Sequence, residues 1–200
     1  MIGAFTTLYR EVEWLRACVP QLAVFDEVVV TVATCASNWL GPEPQPPARI
    51  EEVQELCKEH GFLCETVTPS DRQRGFGMQR QRGIDALRAR GHVAAAYFSV
   101  DELYTVEHAR RLKTYLATYP DRIWRPERTI TLWRNPKWQV SYINVFSGLP
   151  IDVDCFGHET GAGFGDRYDY YAPLAVNKYG VMLDVMCWHF SFVRSVQEMR

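Results

Sequence analysis

Along its first 120 positions the chain switches repeatedly between apolar runs and apolar residues spaced at three and four. MIGAFTTL is apolar and rich in strand formers and predicts a first strand. REVEWLRACVPQL places apolar side chains at Val12, Leu15, Cys18, Val19 and Leu22, the spacing of a helix that Pro20 ends or kinks. DEVVVTVAT is a continuous β-branched run, as in a strand buried on both faces. GPEPQPP reads as a proline-rich loop, and ARIEEVQELCKEHG as an amphipathic helix stopped by Gly61. FLCETVTP is a third strand and GMQRQRGIDALRARG a helix again closed by glycine. HVAAAYFSV is the fourth strand, and TVEHARRLKTYLATYP a helix with Thr105 as its N-cap.

This β-α-β-α-β-α-β-α succession predicts a parallel sheet with right-handed crossovers, in which ligands bind at the carboxyl ends of the strands. The fourth strand ends on Asp101-Glu102. Buried carboxylates cost several kcal/mol to desolvate without a partner, so either the strand surfaces there or a cation meets it. After Pro120 the pattern changes to short alternating runs and frequent turns, which predict antiparallel strands. HETGAGFGDRYDYYAP reads as a Gly- and Tyr-rich loop, and VMLDVMCWHFSFVRS as a closing strand that carries His189.

A length of 200 residues suits one domain with a real core, and no apolar run reaches the ~20 residues that span a bilayer. The opening lacks the order of a signal peptide, so a cytoplasmic protein without a membrane partner is expected. None of the six cysteines forms a CxxC pair, which argues against a structural zinc and for reduced thiols in or near the core. The net charge of −2 is uneven. Arg72 to Lys137 carries 14 Lys/Arg against 6 Asp/Glu, a net of +8, and the rest 8 against 18, a net of −10. A basic middle suggests an anionic partner such as phosphate, or else arginines on solvated helix faces.

Several chemistries lack their motif. TTLYREVE after the first strand has no GxGxxG, and neither a Walker A loop nor a GxSxG elbow occurs. GAGFG lies late, outside a strand–helix context, and reads as a loop. The carboxylate pair, the basic middle and the late histidine suit a hard divalent cation held by one or two carboxylates and a ligand's phosphates, with imidazole joining for Mn²⁺.

Five segments, in this order, carry a family resemblance: FTTLYREVEWLRACVPQL with DEVVVTVAT, then QRQRGI, YFSVDE, RPERTITLWRN and CWHFSFVRS. Together they resemble family-2-type glycosyltransferases of the small bacterial and phage kind, across essentially the whole chain. QRQRGI is similar to the family's QRNxGI helix start, and YFSVDE stands in place of its metal-binding LDADE or LQADE. Two departures are plain. Ser99 replaces the first acid of the family's DAD, and TVATCASN follows the second strand where the family has DDGSxD.

The resemblance implies an α/β GT-A fold (nucleotide-diphospho-sugar transferase), with a Rossmann-like, mostly parallel sheet and a C-terminal antiparallel extension. It implies one domain over 1–200, with 1–120 as the nucleotide-sugar-binding half and 121–200 as the acceptor-side, closing half. The implied activity is metal-dependent transfer of a sugar from a nucleotide-sugar donor to an acceptor hydroxyl, with inversion. Asp101 and His189 become metal ligands for Mn²⁺ or Mg²⁺. Thr7, Arg10, Arg80, Asp101 and Arg194 become donor contacts. Glu159, Asp154 and Asp166 become candidates for the general base, with Glu159 favoured and Asp152 a further carboxylate in reach. Glu102 is either an acid behind Asp101 or part of the next helix start. The acceptor is a glycan, a small molecule, or, as in phage relatives, a hydroxylated base in DNA, which the basic middle also suits. The competing readings are a nucleotidyltransferase-type enzyme, which would want a glycine- and lysine-rich first loop, and a non-catalytic nucleotide-sugar-binding relative.

Overall fold

The computed structural model describes residues 1–8, 12–34, 49–68, 75–133, 139–142, 147–152 and 179–192. The strands are β1 (Ile2–Leu8), β2 (Glu27–Ala33), β3 (Leu63–Val67), β4 (Ala94–Ser99), β5 (Glu102–Leu103), β6 (Ile123–Trp133), β7 (Gln139–Tyr142), β8 (Gly148–Pro150) and β9 (Tyr179–Phe192). The helices are α1 (Val12–Leu22), α2 (Ile50–His60), α3 (Gly75–Ala89) and α4 (Val106–Thr118). Every element expected in the first 120 residues is present. The loop GPEPQPP and the segment HETGAGFGDRYDYYAP lie outside the described residues.

The described strands join in one sheet of order β3-β2-β1-β4-β8-β6-β9-β5, with β7 on β6. The first four are parallel. Their continuous apolar runs serve two faces at once, as period-two alternation requires. Ala4, Leu8, Val28, Val30, Val32, Ala96 and Phe98 pack with α1, α2 and α4. Phe5, Val29, Ala95 and Tyr97 pack with Ile84 and Leu87 of α3 on the other side. Gly83 lets α3 press against β1, since a Cβ there would lie 2.6 Å from Phe5 Cδ2. Gly61 and Gly91 end α2 and α3 with φ of 69° and 80°, the left-handed conformation that glycine reaches without strain. Thr105 caps α4 by accepting a hydrogen bond from the His108 N–H at 3.1 Å.

Two expectations need correction. Pro20 does not end α1 at its own position: the helix runs through it to Leu22. Pro20 and Arg16 are both exposed, so the helical hydrogen bond that Pro20 cannot give is missing on the solvent side of α1. After residue 120, β7 and β8 do pair antiparallel to β6, but β9 runs parallel to it. Parallel neighbours need a long connection, and residues 134–178 supply one between β6 and β9. The β6–β9 ladder breaks register between Pro126 and Arg128, where proline has no N–H to give.

Candidate active site

The strand order reverses direction at β1, so the carboxyl ends of β1 and β4 flank the crevice where α/β sheets hold ligands. Thr7 and Ser99 are register partners at those ends. Thr7 and Tyr97 share the α3 side, with their hydroxyls 3.1 Å apart. Arg80, from the first turns of α3, lays its guanidinium 4.9 Å from the Tyr97 ring centroid. Thr7 and Arg80, expected as donor contacts, therefore come together through a tyrosine the sequence reading passed over. Gln79 sits beneath them, fully buried, and its amide donates to the carbonyls of Leu8 at 2.8 Å and Thr31 at 3.2 Å. It ties the ends of β1 and β2 to the start of α3.

β4 ends in a turn that treats its two carboxylates differently, Asp101 being partly exposed and Glu102 buried. The chain turns at Val100-Asp101, and Asp101 is half-buried on that turn. Its position is not a helix start, because α4 begins only at Val106. The same holds for Glu102, which belongs to β5 and is buried. The Glu102 carboxylate accepts from the Ser99 N–H at 3.1 Å and closes the turn from behind.

β5 pairs with β9 so that Glu102 lies opposite His189. Positions 101 and 189, the two expected metal ligands, are thus brought within one residue of each other across the ladder. For His189 the backbone alone is described. Among the described residues no three or more His, Cys, Asp or Glu side chains gather into a metal cluster. Arg10, Arg194, Glu159, Asp154 and Asp166 lie outside the described residues, and Asp152 is exposed just after β8.

Two buried thiols and a phenol lie beside the turn. Burial pushes the Cys18 thiol well up, and the charges of Asp101 and Glu102 add to it. Burial first, then Glu102, does the same to Cys187. Burial, then Cys187 and Glu102, raises the Tyr104 phenol, whose hydroxyl meets that of Ser147. Burial thus favours the protonated form of all three.

Five cations of the basic middle are paired in space. Arg82 meets Glu65 at 2.9 Å, Arg88 meets Asp85 at 2.7 Å, Arg90 meets Glu27 at 2.9 Å, Arg111 meets Glu107 at 3.3 Å and Lys113 meets Asp26 at 2.6 Å. For these side chains the solvated-helix-face reading of the charge holds, and they are not a field for an anion.

No known protein family and no curated protein matches the sequence. Among solved structures, the chain superposes on S. aureus TarS 1-349 with a TM-score of 0.59, at 13% identity, over 95% of this chain. The fold is GT-A. The chain spans 60% of the TarS 1-349 chain it matches. A glycosyltransferase involved in glycosylation of the major capsid of PBCV-1 gives a TM-score of 0.47 at 12% identity over 99% of this chain and 97% of that one. A 4-diphosphocytidyl-2C-methyl-D-erythritol synthase gives 0.46 at 9% identity over 98% and 91%. The GT-A assignment rests on the first of these. It agrees with the β3-β2-β1-β4 order and the turn that leaves β4 at Asp101. Among the described residues no helix is long and apolar enough to cross a membrane.

Proposed function

We propose that the protein is a nucleotide-sugar-dependent glycosyltransferase that moves a sugar to an acceptor hydroxyl with inversion. The observation that carries this is the turn at the end of β4: it presents Asp101 at the crevice of a GT-A sheet, and β9 returns to set position 189 beside it. TarS 1-349, the protein of the fold match, has been solved with UDP-GlcNAc and with UDP. Thr7 and Arg80 are the donor contacts on the β1 side, with Arg10 and Arg194 assigned from the sequence.

Mn²⁺ or Mg²⁺ fits the residues present. A hard cation needs one or two protein carboxylates when a diphosphate supplies other oxygens. Asp101 offers one at a turn. Asp101 and His189 would hold the cation. When bound, it neutralises the charge that develops on the leaving diphosphate. The acceptor hydroxyl gives its proton to a carboxylate base, Glu159 before Asp154 or Asp166, as its oxygen attacks the anomeric carbon and the nucleoside diphosphate departs.

A thermal-shift panel of UDP, GDP, CDP and dTDP, with and without Mn²⁺, tests this. One nucleotide should raise the Tm only with Mn²⁺, and Asp101→Ala should lose that increment. No shift with any nucleotide would leave a GT-A fold without transferase chemistry. A shift equal in wild type and Asp101→Ala would sink the metal assignment.

A further inference from the structure

β5 is the last strand on its side of the sheet, and only two residues long. One edge pairs with β9. The other edge meets a side chain: the Gln21 amide of α1 donates to the Glu102 carbonyl at 2.8 Å, and its oxygen accepts from the Tyr104 N–H at 2.6 Å. One donor and one acceptor on alternate residues reproduce what a neighbouring strand would offer. These partners also settle which way the amide points. One helical turn earlier the Cys18 thiol donates to the Val100 carbonyl at 3.1 Å. The main chain is therefore held at 100, 102 and 104, and Asp101 lies between the first two.

We infer that Gln21 is a positioning residue for Asp101: by standing in for the missing strand at the edge of β5, it sets where the turn presents its carboxylate to a metal-bound diphosphate. Gln21 is 2% exposed and reaches the site through backbone alone. An apolar residue would fill the same space without desolvating an amide, so the position is spent on hydrogen bonds that fix the turn. Its consequence for metal rests on the function proposed above, whereas its hold on the turn does not.

The test is Gln21→Met, which keeps length and burial and removes both hydrogen bonds, beside Val53→Ala in α2 as a destabilised control remote from the turn. Hydrogen exchange at the Tyr104 N–H should quicken several-fold in Gln21→Met, with β1 amides unchanged. With the nucleoside diphosphate that stabilises wild type, the Mn²⁺ midpoint should weaken about tenfold in Gln21→Met, the effect of losing a partner behind a ligand, and stay put in Val53→Ala. Unchanged exchange at Tyr104 overturns the hold on the turn. An unchanged Mn²⁺ midpoint in Gln21→Met, or an equal loss in Val53→Ala, overturns the positioning role. If wild type itself binds no Mn²⁺–nucleotide, the proposed function falls and takes the metal role with it, while Tyr104 exchange still decides the hold.

Discussion

Asp101 and Gln79 show two ways a polar residue is used at a strand end. Asp101 stands on a turn, partly exposed to water. Gln79 is fully buried and serves two main-chain carbonyls at once. Gln79→Met should therefore remove both hydrogen bonds and destabilise the protein by about 1–3 kcal/mol, the cost of leaving the Leu8 carbonyl unsatisfied, since Thr31 keeps its ladder neighbours. Urea unfolding checks it: the midpoint should fall at an unchanged slope. At this scale the sequence reading named the acids and the arginine but passed over Tyr97, Gln79 and Gln21. A signal existed for Gln21, which falls on the same helical face as Leu15, Cys18 and Leu22. A polar residue on an apolar stripe needs a buried partner, and the partners were 81 and 83 residues away.

Among the elements, α3 is the one that both packs and presents. Gly83 brings it against Phe5, and four residues into its range Gln79 and Arg80 reach the strand ends. Gly83→Ala should push helix and sheet apart and cost about 1–3 kcal/mol as overpacking, outweighing the better helix propensity of alanine. Chemical denaturation reads the loss, and a gain in stability would refute the close approach. The helices and the first four strands were legible because period and caps are local properties. The direction of β9 against β6 was not, because alternation marks a strand but carries no sign of which way its neighbour runs.

For the whole molecule, the charge pattern is the clearest case of folding rewriting a linear feature. The +8 middle meets acids from both inside and outside its own stretch, as Arg82 does with Glu65 and Arg90 with Glu27. Lys113 of α4 likewise meets Asp26 just before β2, and Asp26 also accepts from the Ile2 N–H at 2.7 Å. The Lys113 hydrogen bond, then that of Ile2, lowers the Asp26 carboxyl below its ordinary 3.8. The folded state thus binds this proton less readily than the unfolded one. Its stabilisation is complete above about pH 4 and fades as pH falls through the lowered folded value. Because the pair is partly exposed, Asp26→Asn should cost only about 1 kcal/mol at neutral pH, and the gap to wild type should close in acid. Thermal melts of both proteins from pH 7 to pH 3 measure this, and a gap that widens in acid would contradict the pairing.

The sequence by itself determined the elements of the first 120 residues, the apolar faces that bury them and the carboxylates at the end of β4. Each depends on spacing between near neighbours, where geometry is set by the helix and strand periods. Tertiary structure decided what depends on distant partners: the pairing of β5 with β9 that sets 102 opposite 189, the Tyr97 bridge between Thr7 and Arg80, the Gln21 clasp, and the ion pairs that Arg82, Arg90 and Lys113 make with acids outside the basic middle. Those contacts join residues from 17 to more than 80 positions apart, and only the packing of separate elements brings them together.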